Sequence, residues 1–415
     1  MADETAPASP FRWPVVNPGP SWSCPRVNMP DIFSIQWDMP LDSWFYAGHA
    51  VDTDGNEYSV NLYFARTQPS AADPALQLVS LGIGIGVAAG GAYRMCTETG
   101  EGAAEAPGTG AALYVPRASD SSYLVQFSGG ASAAHGSMAY TGGASMGIAG
   151  ATYKASASGT DANGAPIALE LDLEDLIGTK MEGMSGWVGP TYEIAQPRLQ
   201  ITGGTLTLGD AAITLAGGSL WHDRQTYNFP PAPPPPPGSK PAPLYTGNWM
   251  ALLFSNGLSA DLNAVWPEAT EPGTQWLSGR ALNPPRPPLN ASGNLYFADG
   301  VDRYNGGAFL QGVGNSPEEF DYDINIFDPA DSGQSPHWQS PATGNVYCNK
   351  WQIAFSSRLA RWNVPPIVYV AALVPGCEYA PPAGRAFWEG AVHLFSDRDC
   401  TNKIGEGFVE QMGYN

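Results

Sequence analysis

Gly (49) and Pro (39) together make about a fifth of the 415 residues. At roughly 1 and 3 kcal/mol per interior helical position, they exclude a helix-dominated protein. Thirteen Trp and 43% hydrophobic residues exclude a disordered chain. Nineteen basic against 39 acidic residues give a net charge of −20, which makes nucleic acid and anionic headgroups poor partners. No apolar run reaches about 18 residues, so no membrane span is expected.

The length exceeds one typical core and suggests two domains. Residues 1–28 are polar, punctuated by Pro, and read as an extended arm. From there the strand signal dominates. Ser43–Val51 and Glu57–Phe64 flank Asp52-Thr-Asp-Gly55 as a hairpin. The same form recurs as Tyr153–Ser158 and Pro166–Leu173 around Asp161-Ala-Asn-Gly164, and as Trp249–Phe254 and Leu258–Val265 around Asn256-Gly257. Further strands are expected at Leu113–Pro116, Tyr123–Phe127, Leu199–Leu208, Ile213–Leu220, Trp351–Leu359, Ile367–Leu373 and Ala386–Phe395, with one helical turn at Pro317–Phe320. Short strands at such spacing predict an all-β chain of antiparallel barrels or sandwiches. The proline run from Phe229 to Pro243 favours polyproline II and cannot enter a central strand. The expected layout is an arm (1–28), an N-terminal domain (29–228), a Pro-rich linker or loop (229–244) and a C-terminal domain (245–415).

Three pattern matches carry little chemistry. Gly84-Ile-Gly-Val-Ala-Ala89 fits a dinucleotide fingerprint, but no helix pattern comes after it, and a Gly-rich strand explains it better. Gly143-Ala-Ser145-Met-Gly147 fits a nucleophile elbow, with His135 or His222 as nominal bases, yet Ile148–Ser156 behind it is strand-like rather than helical. Asp52-Thr-Asp-Gly55 looks acidic enough for calcium but reads fully as a turn. Five scattered histidines without H-x-H or H-x-x-x-H pairs give no metal site, and no cofactor is expected. The five cysteines show no metal spacing. One disulfide among Cys348, Cys377 and Cys400 and buried free thiols are both open readings. Only 14% of residues are charged, a composition leaning toward an exported location, periplasmic or extracellular. No apolar segment follows Met1 as a signal peptide would require.

The segment that resists a bland reading is Trp221-His-Asp-Arg-Gln225. Alternation along a strand puts Trp221, Asp223 and Gln225 on one face and His222 and Arg224 on the other. If the first face points into a barrel, Asp223 is a buried carboxylate whose raised pKa suits it as a proton donor. The plainer alternative is an Asp–Arg ion pair fixing a strand end.

Taken together, four segments resemble one family. Ser43-Trp-Phe-Tyr-Ala-Gly-His49 with the following turn and Asn61-Leu-Tyr-Phe64 resembles its E-W-W-Y-x-x-G-H hairpin. Trp221–Gln225 resembles its W-x-D-[RH]-Q segment, and Trp249 with the strand around Asn256-Gly257 matches the hairpin after it. Ala386-Phe-Trp-Glu-Gly-Ala-Val392 and Gly405-Glu-Gly-Phe-Val-Glu-Gln-Met-Gly-Tyr414 resemble its closing motif. This is the carotenoid hydratase (hydroxyneurosporene synthase) and AttH-like group, related to kievitone hydratase and fungal lipocalin-like Diels–Alderases. Ser43 stands where the family often has Glu, and Trp44-Phe45 replaces its W-W pair.

The resemblance implies two tandem lipocalin-like barrels with a ligand pocket in or between them, but not one reaction. Alkene hydration needs an acid, a shield for a cation and a water. Asp223 or Glu389 would supply the proton, and His222 would position or deprotonate the water. Trp44, Tyr46, Trp221, Trp249 and Trp388 offer π faces worth about 0.5–2 kcal/mol each to a cation. Cyclase chemistry needs only a shaped apolar pocket and donors such as Arg224, Gln225 and Tyr46. His49 of the first motif joins the substrate-binding candidates. The expected function is a cofactor-independent hydratase or lyase, monomeric, acting on an apolar unsaturated small molecule. A pericyclase, cyclase or isomerase and a non-catalytic carrier are the alternatives.

Overall fold

The structure is a computed structural model and describes residues 31–36, 39–68, 76–103, 111–130, 132–182, 187–188, 191–227, 245–267, 290–296, 307–311, 321–326, 337–379 and 386–412. The expected arm, the proline run and the turn at Pro317–Phe320 lie outside these residues.

Thirteen strands form the first sheet: β1 (Leu41–Asp52), β2 (Glu57–Thr67), β3 (Leu78–Val87), β4 (Ala92–Ala103), β5 (Ala111–Tyr114), β6 (Leu124–Ser128), β7 (His135–Gly143), β8 (Ala151–Thr160), β9 (Pro166–Asp175), β10 (Lys180–Met181), β11 (Trp187–Val188), β12 (Thr191–Leu208) and β13 (Ala211–Tyr227). Pairing runs β12-β13-β1-β2-β3-β4-β5-β6-β7-β8-β9, and β9 returns to β12, closing an 11-stranded barrel. Closure leaves no unpaired edge, which suits a chain with so many short strands.

The second half contributes β14 (Tyr245–Phe254), β15 (Ser259–Pro267), β16 (Asn290–Tyr296), β17 (Gly307–Gln311), β18 (Tyr322–Ile326), β19 (His337–Gln339), β20 (Val346–Cys348), β21 (Lys350–Phe355), β22 (Ile367–Ala372), β23 (Glu378–Tyr379), β24 (Phe387–Phe395) and β25 (Lys403–Met412). Its main sheet runs β17-β16-β15-β14-β25-β24-β22-β21-β18 and curls into a half-barrel. The all-β, two-barrel architecture is the one the sequence implied. No helix among the described residues is long and apolar enough to cross a membrane.

Local chemistry explains the hairpins. The Asp52 carboxylate accepts the N–H groups of Asp54 and Asn56 at 2.9 and 2.8 Å and the Tyr58 hydroxyl at 2.9 Å, while Gly55 takes φ 85°. The acid is consumed by its own turn. Likewise Gly143-Ala-Ser145-Met-Gly147 joins β7 to β8 through a turn, with no helix behind the serine. Cys96, Cys348, Cys377 and Cys400 are free, so the disulfide considered among the last three does not form.

Side chains alternate across β3. Leu81, Ile83 and Ile85 fill the first barrel, while Gly82, Gly84 and Gly86 face the second sheet. A Cβ at Gly82 would lie 3.3 Å from the Tyr379 hydroxyl, and one at Gly86 would lie 3.1 Å from Cys377 Sγ. The glycine stripe is therefore a packing strip where the two halves approach closely. Phe45, Ala47, Ile177, Ala195 and Trp221 of the first half meet Trp249, Ala251, Leu253, Tyr296 and Phe408 of the second in one apolar cluster. Each large side chain buried there contributes about 1.5–3 kcal/mol to holding the halves together.

Candidate active site between the barrels

β13 runs beside β1 with Asp223 opposite Phe45 and Trp221 opposite Ala47; on its other side Asp223 lies opposite Ala195 of β12. The Trp221–Asp223 face points at the second half: the Trp221 ring meets Trp249 at 5.8 Å and Tyr296 at 5.6 Å between centroids, both edge-on. Facing it across the gap, Trp249 of β14 lies opposite Glu410 of β25, and Glu410 lies opposite Glu389 of β24. Asp261 of β15 lies opposite Ala251.

Six carboxyl groups thus converge in a layer of aromatic side chains: Glu182, Glu193 and Asp223 from the first half, Asp261, Glu389 and Glu410 from the second. Burial is the main force on all of them. It pushes Asp223 up to about 6, against hydrogen bonds from Glu182 and the Trp221 indole. It lifts Glu410 to about 7, helped by the Asp223 charge. Asp261 rises to about 8 through burial, with Tyr296 opposing and the Asp223 charge adding to it. Glu182, Glu193 and Glu389 are raised well above the usual carboxylate range by burial and by neighbouring acids. Asn61 Nδ2 donates to Glu389 Oε2 at 2.9 Å and partly offsets that rise. Like charges in a dry layer cannot all ionise, so the layer holds protons near neutral pH. Glu410 and Tyr63 keep some accessible surface although protein atoms surround them.

His222 and Arg224 point the other way, into the first barrel. The His222 ring stacks on Tyr46 at 4.0 Å between centroids, and its Nδ1 is 2.7 Å from Gln196 Oε1. Gln196 Nε2 donates to the Tyr153 hydroxyl and to Asp175 Oδ2, which fixes the amide and so the His222 tautomer as Nδ1–H. Burial drives the His222 pKa well below its ordinary value, leaving a neutral ring. Arg224 Nε donates to Ile32 O at 2.9 Å, its guanidinium lies over Trp44 at 4.2 Å, and it pairs with Asp42 rather than Asp223. Trp44 donates to Phe33 O at 3.0 Å, and Tyr46 shares a hydrogen bond with Tyr123.

The candidates named from the sequence therefore fall in three places. Trp221, Asp223, Trp249 and Glu389 meet in the inter-barrel layer. Trp44, Tyr46, His222 and Arg224 line the first barrel. Trp388 lies inside the second, donating to Pro375 O at 2.6 Å. Gln225 lies at the rung beyond Asp223, accepting from Ser43 Oγ at 3.3 Å. His49 is further along β1, between Glu57 and Glu406. Sequence reasoning missed Glu182, Glu193, Asp261, Glu410 and Tyr296. Asp261 did leave a signal, the one charged residue of its strand, but convergence across two sheets is not written locally.

No protein-family model matches the sequence, and no curated protein does. Among solved structures the chain is similar to an AttH-type protein of Nitrosomonas europaea, at 16% identity and TM-score 0.62 over 93% of this chain and 96% of that one. It is also similar to kievitone hydratase of Nectria haematococca, at 11% identity and TM-score 0.53 over 92% and 93%. The chain thus has the tandem lipocalin-like β-barrel fold of these two solved structures.

Proposed function

We propose that the protein is a cofactor-independent hydratase or lyase whose proton donor is Asp223 in the layer between the barrels. The observation that carries the reading is a buried carboxyl, raised to about 6, held against an indole within an aromatic layer that other protonated acids share. Hydration would pass the Asp223 proton to one alkene carbon. Water then adds to the other carbon, and its extra proton returns to the Asp223 carboxylate through the protonated carboxyls of the layer, Glu389 among them. The faces of Trp221 and Trp249 would shield the intervening cation. The substrate class is an apolar unsaturated molecule, terpenoid, polyene or phenolic, because the walls are aromatic. One structural neighbour is named a hydratase, in keeping with this chemistry.

A second reading has its own support. The Trp249 indole N–H is buried with no hydrogen-bond partner among the described residues. A donor left free would suit a substrate carbonyl, as a cyclase or isomerase requires. Incubating the protein with polyenes, terpenes and isoflavonoids in ¹⁸O-labelled water separates the cases. Label in the product supports hydration, a mass-neutral product supports cyclisation, and unchanged bound ligand means a carrier.

A further inference from the structure

Two of the five histidines scattered in the sequence meet in the fold. His49 of β1 and His393 of β24 come together at the far end of the inter-barrel seam, ring centroids 5.3 Å apart. Glu57 at the start of β2 lies between them: its Oε1 is 3.0 Å from His49 Nε2 and 3.0 Å from His393 Nε2. The three donor atoms all lie within 4.8 Å of one another. The other nitrogen of the buried His49, Nδ1, is 2.8 Å from Glu406 Oε2 on β25.

We propose that His49, His393 and Glu57 form a divalent transition-metal site, suited first to Zn²⁺, that bridges the two halves. Two imidazoles and a carboxylate are a borderline donor set that favours Zn²⁺ or Co²⁺ over Mg²⁺ and Ca²⁺. Metal–donor bonds of about 2.0–2.1 Å separate neighbouring ligand atoms by only a few ångströms, the spacing found here. Glu406 supplies the outer carboxylate that metal-bound imidazoles use to fix their tautomer and orientation. All four side chains stand on paired strands, with His393 opposite Glu406, so the frame is rigid. Three protein ligands leave at least one position open to water. No local motif announces the site, because the two histidines come from opposite ends of the chain.

One group competes with the metal. Lys403 Nζ is 3.4 Å from Glu57 Oε1 and 4.0 Å from Glu406 Oε2, on a side chain 38% exposed. Metal binding requires this ammonium to swing out to solvent. Its removal should therefore tighten binding, which a merely electrostatic clamp would not predict.

The test is titration of the metal-free full chain with Co²⁺, followed by its visible d–d absorption, with stoichiometry by equilibrium dialysis against Zn²⁺. The expected result is one ion per chain, a tetrahedral or five-coordinate band lost in both His393→Ala and Glu57→Gln, and affinity at least several-fold tighter in Lys403→Met. Circular dichroism of the metal-free variants establishes that they are folded. If either ligand variant does not fold, the Lys403→Met comparison decides alone. Absence of one-to-one binding at micromolar metal overturns the proposal, as does binding that either folded ligand variant leaves intact or that Lys403→Met fails to tighten.

Discussion

His222 and Asp223 are neighbours in the chain and lie on opposite sides of one sheet. The imidazole stacks on Tyr46 inside the first barrel, while the carboxyl takes the Trp221 indole hydrogen bond in the seam between the halves. A strand turns successive side chains to opposite faces, so the two cannot serve one reacting centre. The acid must work with partners from other strands. Burial supplies what a histidine would otherwise provide, a group holding its proton near neutral pH.

The proposed proton donor, Asp223, would act in its protonated form, so turnover should fall as pH rises past about 6. The Trp221 N–H stabilises the carboxylate and opposes the rise. Trp221→Phe should therefore move the alkaline limb of the pH–rate profile upward by about one to two pH units. An unmoved limb would separate Trp221 from the acid.

Stability should carry the same signature. The folded chain holds the Asp223 proton more tightly than the unfolded chain, in which the carboxyl titrates near 3.8. Its contribution is whole below that value and is lost as pH rises through about 6. Asp223→Asn lacks the titration. Its unfolding free energy in urea should gain on wild type between about pH 3 and about pH 7, by on the order of 2–3 kcal/mol.

How much of this is legible in the sequence depends on whether the information is local. The three hairpins at Asp-Gly and Asn-Gly turns are readable because turn chemistry and alternation act within about ten residues. The opposite facing of Trp221 and His222 is readable for the same reason. Which face meets the barrel interior is not, because that is set by β1 and β12 on either side and by the second half. The expected strand from Trp351 to Leu359 stops at Phe355, where Ser356 caps a short 3-10 turn by accepting from the Arg358 N–H. The glycines of β3 carry a packing message that resembles a nucleotide fingerprint. Glu193, Asp261 and Glu410 come from three strands of two sheets, so no sequence window contains their meeting.

Arg224 closes the barrel and should matter to folding rather than chemistry. The buried Asp42 carboxylate accepts from both Arg66, at 2.7 Å, and Arg224. Asp42→Asn would leave two buried guanidinium groups sharing a neutral amide. A loss of about 3–5 kcal/mol in chemical unfolding is expected, with turnover per folded molecule unchanged.

The glycine strip offers a steric test of the seam. A Cβ at Gly84 would overlap Asn61 Oδ1 and the Tyr93 hydroxyl. Asn61 holds Glu389, so Gly84→Ala should both destabilise by about 1–3 kcal/mol and reduce turnover. Lost stability with undiminished turnover would detach Glu389 from the chemistry.

The most direct measurement is the turnover of Asp223→Asn and His222→Gln, side by side, on whichever substrate takes up solvent oxygen. Chemistry in the seam predicts a loss of at least about a hundredfold for Asp223→Asn, the scale of general acid catalysis, and a change within a few-fold for His222→Gln. Near-full activity in Asp223→Asn, or a collapse in His222→Gln while Asp223→Asn persists, would place the chemistry inside the first barrel and contradict it.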